Sequence, residues 1–162
     1  MAIQIFVTGG TFDKIHDPIS EKFVFTKTHV PELLTLSRSL LKIKVRTLML
    51  KDSLDMTRHD RELILKACIE AKEDQIVITH GTSNMEGTAQ FLGKKITNKT
   101  IIFTGAMVPY TFTKSDALFN MGTALAFVQT LPHGVYIAMN GKYYPWDNVT
   151  KNTKLGIFDK KY

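Results

Sequence analysis

Only one cysteine, Cys68, occurs in the chain, which excludes an intramolecular disulfide and any cysteine-rich zinc site. Such sparing use of cysteine suits a reducing compartment, and the cytoplasm is the expected location. No apolar run reaches the roughly 20 residues needed to cross a bilayer, so no membrane association is expected. The N-terminus leads straight into a strand pattern with no basic n-region and no small-residue cleavage site, which argues against a signal peptide. The five histidines, His16, His29, His59, His80 and His133, are dispersed and lack the spacing of a metal-ligand pair. Neither a phosphate loop nor a dinucleotide fingerprint is present. No metal or other cofactor is therefore expected. Repeats, low-complexity tracts and linkers are also lacking. At 162 residues and 44% apolar content, residues 1–162 read as one domain with an ample core.

What is present in excess is positive charge, 21 Lys+Arg against 15 Asp+Glu for a net +6. The lysines are scattered among acids except for Lys151, Lys154, Lys160 and Lys161 near the C-terminus. With no nucleic-acid-binding motif beside it, this charge points to small anionic molecules rather than to DNA or RNA.

The apolar run Ile3–Val7 closes in Thr8-Gly9-Gly10-Thr11, a strand feeding a tight loop in which glycine permits a sharp turn and close approach of a ligand. Phe12–Thr28 reads as a lid-like loop with a hairpin around Phe23-Val24-Phe25. A helix follows from His29, with Pro31 in its first turn and Thr28 as its cap. Ile43–Leu50 is a second strand. Thr57-Arg58-His59-Asp60 caps a helix whose Leu63, Ile64, Ala67 and Cys68 share a face. Gln75–Thr79 is a third strand. Ser83-x-x-Glu86 forms a capping box opening a helix from Asn84 to about Lys95. Thr100–Thr104 is a fourth strand. Ser115 or Asp116 caps a long helix through Leu118, Met121, Leu125 and Val128. Gly134–Met139 is a fifth strand and Asn140-Gly141 a hairpin turn. Tyr143, Tyr144 and Trp146 beyond it belong to the core or to an interface. Strands alternating with helices predict an α/β fold, a three-layer α/β/α sandwich with a mostly parallel sheet.

Three strands end in loops of glycine and hydroxyl residues: Thr8-Gly9-Gly10-Thr11, His80-Gly81-Thr82-Ser83 and Thr104-Gly105-Ala106-Met107. In a parallel sheet these ends share one edge, where open α/β sheets bind ligands. Backbone N–H groups and helix N-termini there can hold an anion or oxyanion, and a threonine there can act as a nucleophile once a neighbour takes its proton. His80 ends a buried strand and reads as a structural hydrogen-bond donor rather than a base. For Lys151, spacing alone suggests an exposed lysine of a basic tail.

These residues also carry a resemblance. Thr8-Gly9-Gly10-Thr11, Asp52-Ser53-x-Asp55-Met56, His80-Gly81-Thr82 with Met85-Glu86-x-Thr88-Ala89, Gly105-Ala106-Met107 and Val149-Thr150-Lys151 follow the order seen in bacterial-type L-asparaginases. The chain resembles their N-terminal catalytic domain up to about residue 153, and looks like a short form without the second, C-terminal domain. The resemblance implies cofactor-free hydrolysis of the side-chain amide of asparagine, or of another small amide, to the acid and ammonia. It implies Thr11 as nucleophile, Thr82 as the threonine that aligns and activates water or the nucleophile, and Lys151 as the basic end of a proton relay. A partly desolvated lysine suits that task. Ser53 and Ser83 fall at substrate-binding positions, Ala106 at the backbone position facing the scissile amide, and Gly10 and Gly81 in the loops lining the site. Subunits are expected to pair as a homodimer or higher homo-oligomer.

Three departures accompany the resemblance. Ser83 stands where the family has an aspartate that holds the substrate α-ammonium group and joins the relay. Leu54 replaces a glutamine. An ungapped count places Phe23 at the position of a tyrosine that polarises the nucleophile, with Tyr110 or Tyr144 as other sources of a phenol. Two readings follow: an amidohydrolase working through Thr11, or a catalytically silent relative that binds an amino acid or a partner.

Overall fold

A computed structural model describes residues 1–162. Six strands form one sheet in the order β4-β1-β5-β6-β7-β8, from β1 (Ile3–Gly9), β4 (Ile43–Lys51), β5 (Gln75–Thr79), β6 (Thr100–Thr104), β7 (Gly134–Met139) and β8 (Lys142–Pro145). All neighbours pair in parallel except β7 and β8. These two are joined through Asn140 and Gly141, at φ +55° and +81°, the positive pair a two-residue hairpin turn requires. Two small antiparallel ribbons lie outside the sheet: β2 (Lys14–Asp17) with β3 (Lys22–Phe25), and β9 (Thr150–Asn152) with β10 (Ile157–Asp159).

The period-2 alternation of β1 divides the core. Ile3, Ile5 and Val7 face α1 (Val30–Leu36) and α4 (Ala117–Thr130), packing with Val30, Leu33, Met121, Leu125 and Val128. Phe6 faces the opposite layer, α2 (Arg58–Glu70) and α3 (Met85–Gly93), with Ile64, Cys68, Met85, Ala89 and Leu92. This is the expected three-layer sandwich. Sheet order and layers together fix a further property. β5-α3-β6 and β6-α4-β7 step in the same direction across the sheet, yet α3 and α4 cover opposite faces. The two crossovers therefore have opposite hands. Since α1 and α2 share the hand of α3, α4 makes the exceptional left-handed connection. The seven-residue α1 is too short to cover Val77 and Ile102 on that face, and α4 closes it.

Local capping follows the sequence at α2 and departs from it elsewhere. Thr57 and Asp60 make the reciprocal capping box. Burial raises the Asp60 pKa, but the Lys51 ammonium at 2.7 Å and the Thr57 N–H and hydroxyl outweigh it and bring it down to about 2. The box expected at Ser83 and Glu86 does not form. Asn84 is the N-cap of α3, with no side-chain cap, and the Glu86 carboxylate instead accepts the backbone N–H of Lys151. α1 begins after His29 rather than Thr28, whose hydroxyl still accepts the N–H of Val30 at 3.2 Å. Leu63 and Leu118 point to solvent, while their helical neighbours Ile64 and Met121 are buried. Tyr144 belongs to the core and donates to the Phe158 carbonyl at 2.9 Å. Trp146 packs so closely on α3 that a Cβ on Gly93 would lie 2.3 Å from its ring.

Candidate active site

β1 and β5 are neighbours whose chain connections leave in opposite directions, β1 toward β4 and β5 toward β6. A crevice opens between loops that diverge in this way. The two loops touch through glycine. Gly10 lies at φ +82°, and a Cβ there would stand 2.4 Å from the backbone N of Gly81. A Cβ on Gly81 would stand 2.6 Å from Ser53, and one on Gly105 2.4 Å from the His80 carbonyl oxygen. The loops after β1, β5 and β6 thus meet with backbone against backbone, and the loop after β4 meets Gly81 through the Ser53 side chain. The Gly10 N–H is given to the Lys51 carbonyl at 3.0 Å, so Gly10 serves this meeting by lacking a side chain.

Thr11 opens the 3₁₀ turn Thr11–Asp13 beyond β1. It is half-buried, and its hydroxyl makes no hydrogen bond to its own loop. Asp13 anchors this turn. Its buried carboxylate accepts the His29 N–H at 2.7 Å and the Thr28 hydroxyl at 3.2 Å, tying the turn to the start of α1. Burial raises the Asp13 pKa against these bonds. A cleft of about 240 Å³ over Thr11 is lined by Lys14, Phe23, Met107 and Pro109. Phe23 therefore stands beside Thr11 and brings no hydroxyl. Neither alternative phenol reaches it: Tyr144 is bonded within the core, and Tyr110 stacks on Phe12 and His29 with its hydroxyl 3.5 Å from Glu32.

On the β5 side, Thr82 is buried and accepts a hydrogen bond from the Lys151 ammonium at 2.8 Å. The ribbon β9–β10 brings Lys151 there across 69 positions of sequence. Burial lowers the Lys151 pKa, and the Glu86 carboxylate partly offsets this. Lys151 is thus set apart from Lys154, Lys160 and Lys161, which are exposed. Ser53 is buried, and its oxygen accepts the Asn84 N–H at 3.2 Å, leaving its own O–H free to donate. Ser83 is exposed at the mouth, and Ala106 is buried in the loop after β6. That loop is held by α4: Asp116 accepts the N–H groups of Met107 and Val108, and Asn120 donates to the Gly105 carbonyl at 2.9 Å. His80 is fully buried, with Nδ1 2.8 Å from the Gly81 carbonyl, and burial pushes its pKa down to about 4. It stays neutral at physiological pH and holds the loop.

Sequence reasoning missed Lys14, Asp116 and Asn120. Of the two caps the sequence offers for α4, Asp116 occupies the N-cap position but turns its carboxylate to the neighbouring loop, and the Ser115 hydroxyl accepts the Ala117 N–H at 3.0 Å. Lys14 had no pattern to mark it beyond standing three residues after Thr11. No group of three or more His, Cys, Asp or Glu side chains is placed to hold a metal ion, and no helix is long and apolar enough to cross a membrane.

Comparison with known proteins agrees with this arrangement. The family model described as "Asparaginase, N-terminal" matches residues 2–158. The L-asparaginase of Thermococcus kodakarensis is 32% identical over 162 residues, covering 97% of this chain and 49% of that protein. The solved structure of the thermostable L-asparaginase from the same organism superposes with a TM-score of 0.88 at 30% identity, over 99% of this chain and 51% of the other. A probable cytoplasmic L-asparaginase from Campylobacter jejuni does so with a TM-score of 0.82 at 30% identity, over 98% and 52%. The chain spans about half the length of these relatives. Across nearly all of its own length, from the glycine loop of Thr11 to the lysine that meets Thr82, it belongs to the asparaginase family and corresponds to that family's N-terminal domain.

Proposed function

We propose that the protein is an amidohydrolase that cleaves the side-chain amide of asparagine or of a related small amide, with Thr11 as nucleophile. The observation that carries this reading is the half-buried hydrogen bond from Lys151 Nζ to Thr82 Oγ1 at 2.8 Å, beside a Thr11 whose hydroxyl its own loop leaves free. Thr11 Oγ attacks the amide carbonyl, and N–H groups of the glycine loops stabilise the oxyanion. The C–N bond breaks, and ammonia leaves with the proton taken from Thr11. Water then attacks the ester on Thr11 while Thr82 relays its proton to neutral Lys151, which acts as general base. The acyl C–O bond to Thr11 breaks, the acid leaves, and the proton returns from Lys151 through Thr82 to Thr11 Oγ. The domain of residues 1–162 carries this chemistry. Ser53, Ser83, Ala106, Gly10 and Gly81 line the substrate. The C. jejuni neighbour supports a cytoplasmic location. Exposed Leu118 and Phe119 on α4 support pairing of subunits.

The departures at Ser83 and Phe23 favour a second reading, a silent relative that binds an amino acid or a partner. Ammonia release from asparagine, glutamine and simple amides, by the wild type and by Thr11→Ala, separates the two. Release that Thr11→Ala abolishes is the expected result. No release from any amide, with Thr11→Ala folded and otherwise unchanged, leaves the binding reading. Ser83→Asp combined with Phe23→Tyr raises the rate on asparagine if the site is an asparaginase that has lost these two contacts.

A further inference from the structure

Lys14 enters the Thr11 cleft from β2, with four-fifths of its side chain buried. Its ammonium donates to the Asp52 carboxylate, and the Phe25 ring centroid lies 5.7 Å away. Asp52 accepts this bond together with the Leu54 N–H, and the two hold its carboxyl below the usual carboxylate range. The Asp52 carboxylate therefore stays ionised at neutral pH. Asp52 immediately precedes Ser53, so Lys14 is fixed at the Ser53 end of the crevice. An ammonium has three N–H donors, of which Asp52 takes one and two remain.

The cleft that Lys14 lines is otherwise neutral, formed by Thr11, Phe23, Met107 and Pro109. No carboxylate lines the cleft itself. Asp52 is held by Lys14, Glu86 accepts the Lys151 N–H, and position 83 is an exposed serine. A substrate bearing an ammonium beside its carboxylate would find no carboxylate in the lining of the cleft to receive it, since the nearest, Asp52, is engaged by Lys14. The same carbon skeleton without the ammonium meets only complementary groups: Lys14 and the Ser53 hydroxyl for its carboxylate, Thr11 for its amide.

We infer that Lys14 is the specificity-determining residue of this site, and that the substrate class is the monoamide of a short dicarboxylic acid without an α-ammonium group. The inference rests on the hydrolase reading above. The reaction consumes one water: the amide C–N bond breaks, a C–O bond forms, and a dicarboxylate and ammonia are released without oxidation or reduction. Succinamate, which is asparagine without its α-ammonium, is the simplest probe.

The test measures kcat/KM for ammonia release from succinamate, asparagine and butyramide by the full chain. Calorimetric binding of succinate and aspartate to Thr11→Ala, with Lys14 intact and with Lys14→Met added, runs in parallel. A hydrogen bond to a charged group is worth a factor of about ten or more in binding, so succinamate should exceed asparagine by at least about tenfold. Lys14→Met should raise KM for succinamate by about tenfold or more with a smaller change in kcat. Lys14→Arg, which keeps the charge, should recover most of that loss and guards against misfolding of the Met variant. Preference for asparagine over succinamate, or an unchanged KM in Lys14→Met, overturns the inference while the hydrolase reading stands. Succinate binding that depends on Lys14, with no amide hydrolysed, overturns the hydrolase reading and upholds carboxylate recognition. Neither binding nor turnover overturns both.

Discussion

Replacing Lys151 by methionine removes the ammonium from Thr82 and leaves the β9 backbone in place, because its N–H still reaches Glu86. The chain loses the group assigned to accept the proton relayed through Thr82. General-base catalysis contributes about 10²- to 10⁴-fold, or about 3–5 kcal/mol of barrier, and kcat should fall by that factor. The cost to stability is smaller. Leaving the buried Thr82 hydroxyl unpaired costs about 1–3 kcal/mol, but methionine also relieves the desolvation that lowers the Lys151 pKa, so the two effects oppose. A base must be neutral to act, so the wild-type rate should climb as pH rises through a pKa below the ordinary lysine value of about 10.4. Lys151→Met should lack that limb. Lys151→Arg keeps charge and donors but does not release its proton near neutrality, and should melt like the wild type without recovering its rate. The assay is steady-state ammonia release from pH 6 to 10, beside a thermal melt of each variant. A Lys151→Met kcat within about threefold of wild type, far short of the expected loss, or full recovery by arginine, refutes the base assignment.

Two other perturbations probe the frame of the site. Gly10→Ala forces a side chain against the Gly81 backbone at φ +82°; it should cost about 1–3 kcal/mol, read by urea unfolding, and reduce turnover by separating the β1 and β5 loops. Asp60→Asn should destabilise by about 2 kcal/mol at neutral pH, since the Asp60 pKa falls from 3.8 unfolded to about 2 folded. This wild-type increment is fully present above the unfolded pKa and disappears as pH falls through the folded one, so the two proteins should converge in stability near pH 2.

Most of the sheet was legible in sequence because each central strand is a short apolar run ending in glycine or hydroxyl residues, a pattern only a strand covered on both faces requires. The convergence of the Thr11, Thr82 and Ala106 loops followed from parallel pairing alone. The sheet order and the reversed hand of the α4 crossover did not, since nothing local to β6 or β7 records which face α4 will cover. Capping boxes illustrate the same limit. Thr57 and Asp60 answer each other within one turn, whereas Glu86 has a stronger claim from the Lys151 N–H, 65 positions away. Lys151 itself looked like part of a basic tail until β9 carried it to Thr82, and only family resemblance separated it from its neighbours. Lys14 was invisible because its role depends on Asp52, which lies on another loop.

The most direct measurement is the mass of the enzyme quenched in acid during turnover. With succinamate or asparagine, an ester adduct should appear at the mass of the acyl group and map to the peptide containing Thr11, and Thr11→Ala should carry none. Steady ammonia release with no adduct, or an adduct that persists in Thr11→Ala, would contradict nucleophilic catalysis by Thr11.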